Sequence, residues 1–159
     1  MPRSTFVYVT YIRTTPERLW SALTTDAEFM KQYWFGVHCE SGWRAGSPWK
    51  MLYPDGTVVD SGEIVEADAP RRLVIRWRNQ WNPEFNAEGD SLCTIELEAA
   101  GASVKLSITH TIEREASKLI TAVSGGWPKI LSNLKSLLET GSLALSDYEA
   151  VKKPQPAKA

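Results

Sequence analysis

Side chains suited to proton transfer, nucleophilic attack or metal binding are scarce in this sequence. It holds two histidines, His38 and His110, and two cysteines, Cys39 and Cys93. Two histidines do not make a His-rich zinc site, and no HExxH run is present. There is no GxSxG nucleophile elbow. Gly125-Gly126 is not followed by a Gly-Lys-Ser or Gly-Lys-Thr run, so it is not a phosphate loop. Neither a metal nor a cofactor is therefore expected. His38 and Cys39 are adjacent, but neighbours on a strand point to opposite faces, which argues against a thiol–imidazole dyad. His110 remains as the catalytic candidate. A strand over 103–112 puts it on the side shared by Val104, Leu106 and Ile108, the side that must be covered. One role is a buried histidine hydrogen-bonded to backbone. The other is a ligand-orienting or acid–base group in a cavity.

Seven tryptophans are the second chemical signal. Each is large and amphipathic, so a set of seven implies a bulky core or an aromatic-lined pocket. Trp20 falls on the inner face of a first helix and reads as core. Tyr33, Trp34 and Phe35 end a second helix, where they either close a cavity mouth or simply pack. Trp49, Met51 and Tyr53 share one strand face, and parity alone does not say which. Trp77 lies on the dry sheet face and Trp127 on the apolar stripe of a long helix. They either meet and fill the centre or, as we expect, flank a pocket.

The elements that position these residues follow from periodicity. A strand over 5–13 is rich in β-branched and aromatic residues. Thr15 and Pro16 start a helix, as cap and first helical residue. Thr25 and Glu28 form a capping box for a second short helix reaching Tyr33. Period two then predicts strands near 37–43, 47–53, 58–66, 71–78, 91–99 and 103–112, joined by short turns as an antiparallel meander. The loop 79–90 carries Trp81 and Phe85 and is longer than a hairpin needs, so it reads as a lid or a packed surface loop. In the last three strands Leu73, Ile75 and Trp77, then Cys93, Ile95 and Leu97, then Val104 to His110 make a dry face. Arginines, glutamates and Lys105 make a wet one.

After Glu113 the period returns to 3.6, with one stripe running from Leu119 through Trp127 and Leu131 to Leu138. Gly125, Gly126 and Pro128 interrupt it in composition but not in phase. The expectation is a short helix over 115–123, a break or sharp kink, and a main helix over 127–140 with Pro128 in its first turn. Gly141 supplies the stop. One domain over 1–145 and a disordered tail over 146–159 are expected.

Composition narrows the partners. Hydrophobic residues are 43% and charged residues 23%, as in ordinary globular domains. A net charge of -1 and pI near 6.1 argue against a nucleic-acid or membrane-surface partner. The first residues show no charged segment leading into an apolar core, so no signal peptide is expected. The cysteines are distant and form no CxxC, which fits reduced thiols and a cytoplasmic location.

Several runs carry a family likeness. Residues 16–24, PERLWSALT, follow the first strand, and Tyr33-Trp34-Phe35-Gly36 follows the second helix. Asp55-Gly56, Gly62-Glu63-Ile64 and the run 69–77, APRRLVIRW, come next. Thr109-His110, Gly125-Gly126-Trp127, Leu131, Leu134 and residues 138–141, LETG, complete the series. In order and spacing, over roughly residues 5–141, these resemble the helix-grip fold of the START-like (SRPBCC) superfamily. Within it they resemble the Aha-type branch, named after activators of a heat-shock chaperone's ATPase. The resemblance implies an α+β fold. A curved antiparallel sheet of about six to seven strands would wrap around a long C-terminal helix, with two short helices after the first strand. It also implies an apolar cavity, since superfamily members hold lipids, polyketides, hormones or similar molecules there.

Three functions follow. The favoured one is binding of a small hydrophobic molecule, lipid-like or aromatic, between sheet and helix, by a monomer or homodimer. The expected ligand-binding set is Trp34, Phe35, Trp77, Ile108, His110, Trp127 and Leu131. The second is a cavity enzyme acting as cyclase, dehydratase or hydrolase on a hydrophobic substrate. The third is a chaperone ATPase co-regulator. A cavity above ~300 Å³ with a few convergent polar groups would support small-molecule binding.

Overall fold

A computed structural model describes residues 2–145. The expected disordered tail, 146–159, lies outside the described residues. Strand β1 (Ser4–Ile12) is followed by helices α1 (Pro16–Leu23) and α2 (Ala27–Tyr33). Strands β2 (His38–Ser41), β3 (Pro48–Leu52), β4 (Val58–Asp68) and β5 (Arg72–Asn79) come next. A short helix α3 (Pro83–Ala87), strands β6 (Ser91–Ala100) and β7 (Ser103–Ile112), and helix α4 (Lys118–Thr140) complete the fold.

The seven strands form one antiparallel sheet in the order β1-β7-β6-β5-β4-β3-β2. Only β1 departs from the meander, crossing to pair with β7. The sheet curves around α4, so the architecture is the helix grip. Its inner face is dry: Leu73, Ile75, Trp77, Cys93, Ile95, Val104, Leu106, Ile108 and His110 are all buried. Trp49, Met51 and Tyr53 also face inward and are buried. Outer-face arginines pair with carboxylates on neighbouring strands, as Arg72 does with Glu96 and Arg76 with Glu63.

The local starts follow capping chemistry. The Thr15 hydroxyl accepts the Arg18 N–H at 3.1 Å, and Pro16 opens α1. The cap of α2 is Asp26, not Thr25: its carboxylate accepts the Phe29 N–H at 3.2 Å. A carboxylate there also meets the positive end of the helix, an advantage a hydroxyl lacks.

Helix α4 corrects a larger expectation. It runs unbroken from Lys118 to Thr140 with Pro128 in its interior, and it begins at Ser117, whose hydroxyl accepts the Ile120 N–H at 3.1 Å. There is no separate helix over 115–123. A proline removes one backbone bond, here the one to Ser124, and crowds the preceding turn. The buried stripe on both sides of it, from Leu119 and Ile120 to Leu131 and Leu134, holds the two halves in one register. Tertiary packing therefore outweighs a local cost of about 3 kcal/mol. Gly141, at φ 82°, ends the helix by donating its N–H to the Leu137 carbonyl. Behind the helix, the buried Asn133 carboxamide accepts the Leu145 N–H at 2.6 Å and donates to the Leu145 and Tyr33 carbonyls.

One glycine is required by a close approach. Gly62 pairs with Trp49 on one side and Trp77 on the other. With no side chain between them, the two indoles meet across β4 at a centroid distance of 4.5 Å. A Cβ on Gly62 would lie 1.7 Å from the Arg76 carbonyl oxygen. Gly62→Ala is therefore expected to destabilise the fold by about 3 kcal/mol, because backbone must move. Gly125→Ala, whose methyl meets nothing within 4 Å, is expected to stabilise by about 1 kcal/mol. Urea midpoints check both, and equal shifts in the two variants would contradict the packing argument.

Candidate functional site

Where β3 meets β4 the register slips. Leu52 pairs with Val58 but Met51 pairs with Asp60, so Val59 is an extra residue. Such a bulge re-aims side chains. Here Val59 and Asp60 are both buried, and both line a partly open cavity of about 300 Å³. Met51 from β3, Tyr53 directly after it, and Trp77 and Asn79 from β5 complete its sheet side. Trp34 and Phe35, at the end of α2, close one flank. Phe35 has φ 54°, a left-handed conformation uncommon for a bulky residue, immediately before Gly36 at φ 89°. The opposite wall is α4, contributing Leu119, Val123, Gly126, Trp127 and Ile130, with Phe85 of α3 at the rim.

The tryptophans span the space from sheet to helix. Trp77 meets Trp127 edge to face at 6.0 Å, and Trp127 meets Trp34 in the same way at 5.4 Å. The two residues expected to flank a pocket do so, and they also touch.

His110 orients this group. The indole N–H of Trp127 donates to His110 Nδ1 at 3.3 Å. An indole nitrogen is only a donor, so Nδ1 is the acceptor and the ring proton sits on Nε2. Nε2 then donates to the Ser91 hydroxyl at 2.8 Å, and that hydroxyl donates to the Trp77 carbonyl at 3.3 Å. Burial lowers the His110 pKa to about 4, so the ring is neutral at physiological pH. Every polar atom of the ring is used in holding Trp127 against the sheet.

Asp60 is the polar centre of the cavity. Burial pushes its pKa up to about 7, against hydrogen bonding from Trp77 and Asn79, which favours the charged form. The Asn79 amide donates to Oδ1 at 2.7 Å. Asn79 is itself fixed, because its side-chain oxygen accepts the backbone N–H groups of Trp81 and Asn82 at 3.1 and 2.7 Å. The Asn86 side chain donates to the Asn79 carbonyl at 2.7 Å. The 79–90 loop is thus tied to the cavity floor at one end. At the other, the Glu88 carboxylate accepts the Ser117 hydroxyl and the Lys118 N–H, clasping the start of α4. That loop is a packed rim with a helical turn in it.

Four of the expected ligand-binding residues, Trp34, Phe35, Trp77 and Trp127, come together on the cavity wall. Ile108, His110 and Leu131 are buried in the adjoining core, with His110 bonded behind Trp127. His38 and Cys39 point apart as parity requires: His38 reaches Glu40, while Cys39 is buried inward. Sequence reasoning missed Asp60 and Asn79, and it placed Phe85 on a lid or surface loop without counting it in the ligand-binding set. The signal for Asp60 was present: it shares parity with Gly62 and Ile64, and Asp is depleted in strands.

The raised Asp60 pKa has a thermodynamic sign. The folded state binds its proton more tightly than the unfolded chain does, so Asp60 lowers stability as pH rises from about 4 to about 7. Asp60→Asn stays neutral throughout. It is expected to gain about 3 kcal/mol on the wild type across that window. Denaturation series of both proteins at matched pH check this, and a constant difference between them would contradict a buried carboxyl.

Comparisons with known proteins complete the picture. The family model described as Activator of Hsp90 ATPase homolog 1-like protein matches residues 13–139. No curated protein matches the chain. Among solved structures, protein MLL2253 from Mesorhizobium loti is similar over 88% of this chain and 100% of its own, at 21% identity and TM-score 0.73. PFC0360w, an HSP90 activator from Plasmodium falciparum, is similar over 84% of this chain and 95% of its own, at 23% identity and TM-score 0.68. The Aha1 dimer from Colwellia psychrerythraea is similar over 87% of this chain and 98% of its own, at 19% identity and TM-score 0.69. At such identities the likeness shows a shared fold. With the model spanning the chain from the end of β1 to the last turn of α4, the chain belongs to the Activator of Hsp90 ATPase homolog 1-like family.

Proposed function

We propose that this protein binds a small hydrophobic molecule in the cavity between the sheet and α4. The observation that carries the reading is the cavity itself. It measures about 300 Å³, and the residues that line it are aromatic and aliphatic apart from Asp60 and Asn79. That volume stands at the lower end for ligand sites, and an apolar wall with a few convergent polar groups is their usual composition. Gly126 supports the reading: it lines the cavity, and a Cβ there would meet nothing within 4 Å. A helix interior gives up about 1 kcal/mol by keeping glycine instead of alanine.

A cavity enzyme is the second reading, favoured by one observation. A buried carboxyl titrating near 7 suits general acid–base work on a hydrophobic substrate. The chaperone co-regulator reading rests on the names of relatives alone. Among the described residues, no helix is long and apolar enough to cross a membrane.

Thermal-shift and native mass spectrometry with a panel of hydrophobic compounds test the binding reading. A ligand at a hundredfold excess over its Kd stabilises by about 2.7 kcal/mol, a melting shift of several degrees. The wild type is expected to show such a shift with at least one compound. Gly126→Leu, whose side chain would fill the cavity, is expected to fold and lose it. No shift with any compound in the wild type would contradict the reading.

A further inference from the structure

The cavity wall has a charge character as well as a shape. Asp60 is 5% exposed and lines the space directly. Its Oδ1 accepts the Asn79 amide at 2.7 Å. A carboxylate accepts about four hydrogen bonds, so the group retains acceptor capacity towards the cavity. Among the described residues, no lysine, arginine or histidine lines the wall. An anionic ligand would meet a carboxyl there and no compensating cation.

The remaining surface points the same way. Trp34, Tyr53, Trp77, Phe85 and Trp127 all line the cavity. The faces of such rings carry the negative part of a quadrupole and attract cations, more strongly once water is excluded. A carboxyl among aromatic rings is a combination suited to an ammonium group on an apolar body.

Resting on the cavity-binding reading, we propose that the ligand is a hydrophobic amine. Its protonated nitrogen pairs with the Asp60 carboxylate beside Asn79, and its hydrocarbon lies between Trp77, Trp127 and Trp34. Asn79, held by the backbone N–H groups of Trp81 and Asn82, orients the carboxylate. The bound cation supplies the counter-charge that no residue of the wall provides. Asp60 without that counter-charge is a cost to the fold, and the ligand removes it.

Binding is therefore linked to pH. Burial holds a fraction of Asp60 protonated near neutrality. The pairing needs the carboxylate, so affinity for the amine rises as pH goes from about 6 to about 8, while an alkylamine stays protonated until about pH 10. The other titratable groups near Asp60 are Tyr53, which directly follows β3, and Cys39 from β2. Burial keeps the Cys39 thiol neutral over that range. The residues that α2, α3, β5 and α4 contribute to the wall bring no further ionisable side chain.

Isothermal calorimetry with octylamine, octanol and octanoate tests this on the intact protein. The wild type is expected to bind octylamine best and octanoate least, with octylamine affinity rising through neutral pH and octanol affinity not rising. Asp60→Asn, which is nearly isosteric, is expected to lose at least about tenfold in octylamine affinity and to keep its octanol affinity. Octanol binding as tightly as octylamine at about pH 8 would overturn the amine proposal and leave the cavity reading standing. So would octanoate binding best. Failure of all three to bind would overturn both.

Discussion

The structure depends on a chain of aromatic contacts that keeps α4 at a distance from part of the sheet. Trp49 meets Trp77 across β4, Trp77 meets Trp127, and Trp127 meets Trp34. These indoles link β3, β5, α4 and the end of α2. A helix gripped by a curved sheet would otherwise sink until aliphatic side chains interdigitated along its whole length. Large flat rings standing edge to face hold the two layers apart there, and a cavity remains beside them. Two supports make the arrangement specific. Gly62 removes a side chain where the first pair of indoles must meet. His110 fixes the Trp127 indole through its N–H and passes the bond on through Ser91 to the backbone of Trp77.

Asp60 stands in that cavity at an energetic disadvantage. Burial disfavours its charged form, and the Asn79 and Trp77 side chains compensate only in part. Replacing a buried carboxyl by a neutral group of the same shape generally gains stability. A residue that opposes folding while facing an aromatic space is characteristic of a site that trades stability for recognition or chemistry. The bulge that turns Val59 inward beside Asp60 and the hydrogen bonds that fix Asn79 extend the same organisation. The polar side chains lie in the sheet floor, and α4 contributes only apolar residues to the wall.

Much of this was legible in the sequence, and the failures have distinct physical origins. Strict alternation in β5, β6 and β7 assigned the dry face, and the caps at Thr15 and Gly141 are where residue chemistry places them. Family likeness supplied the helix grip. Reading Pro128 and the two glycines as a break gave local propensity too much weight. The apolar stripe kept its phase through them, and that phase is the tertiary signal that prevailed. Asp60 carried the inward parity of Gly62 and Ile64 and was passed over, whereas the register slip beside it, which turns Val59 inward as well, is not written in any single strand. Val58-Val59-Asp60 reads as one alternating run until the pairing with Met51 is known. His110 was picked out correctly as a covered histidine. Its partners, Ser91 on the neighbouring strand β6 and Trp127 on α4, are set by tertiary packing, so its role in holding an indole could not be read from spacing.

The central claim is that ligand occupies the space bounded by the tryptophan chain and Asp60. Intermolecular nuclear Overhauser effects on the complex with a bound hydrophobic ligand measure this most directly. The expected contacts run from the ligand hydrocarbon to the indole protons of Trp34, Trp77 and Trp127 and to the methyls of Val59 and Val123. Contacts confined to the exposed outer face of β1, at Val7, Val9 and Tyr11, would contradict it.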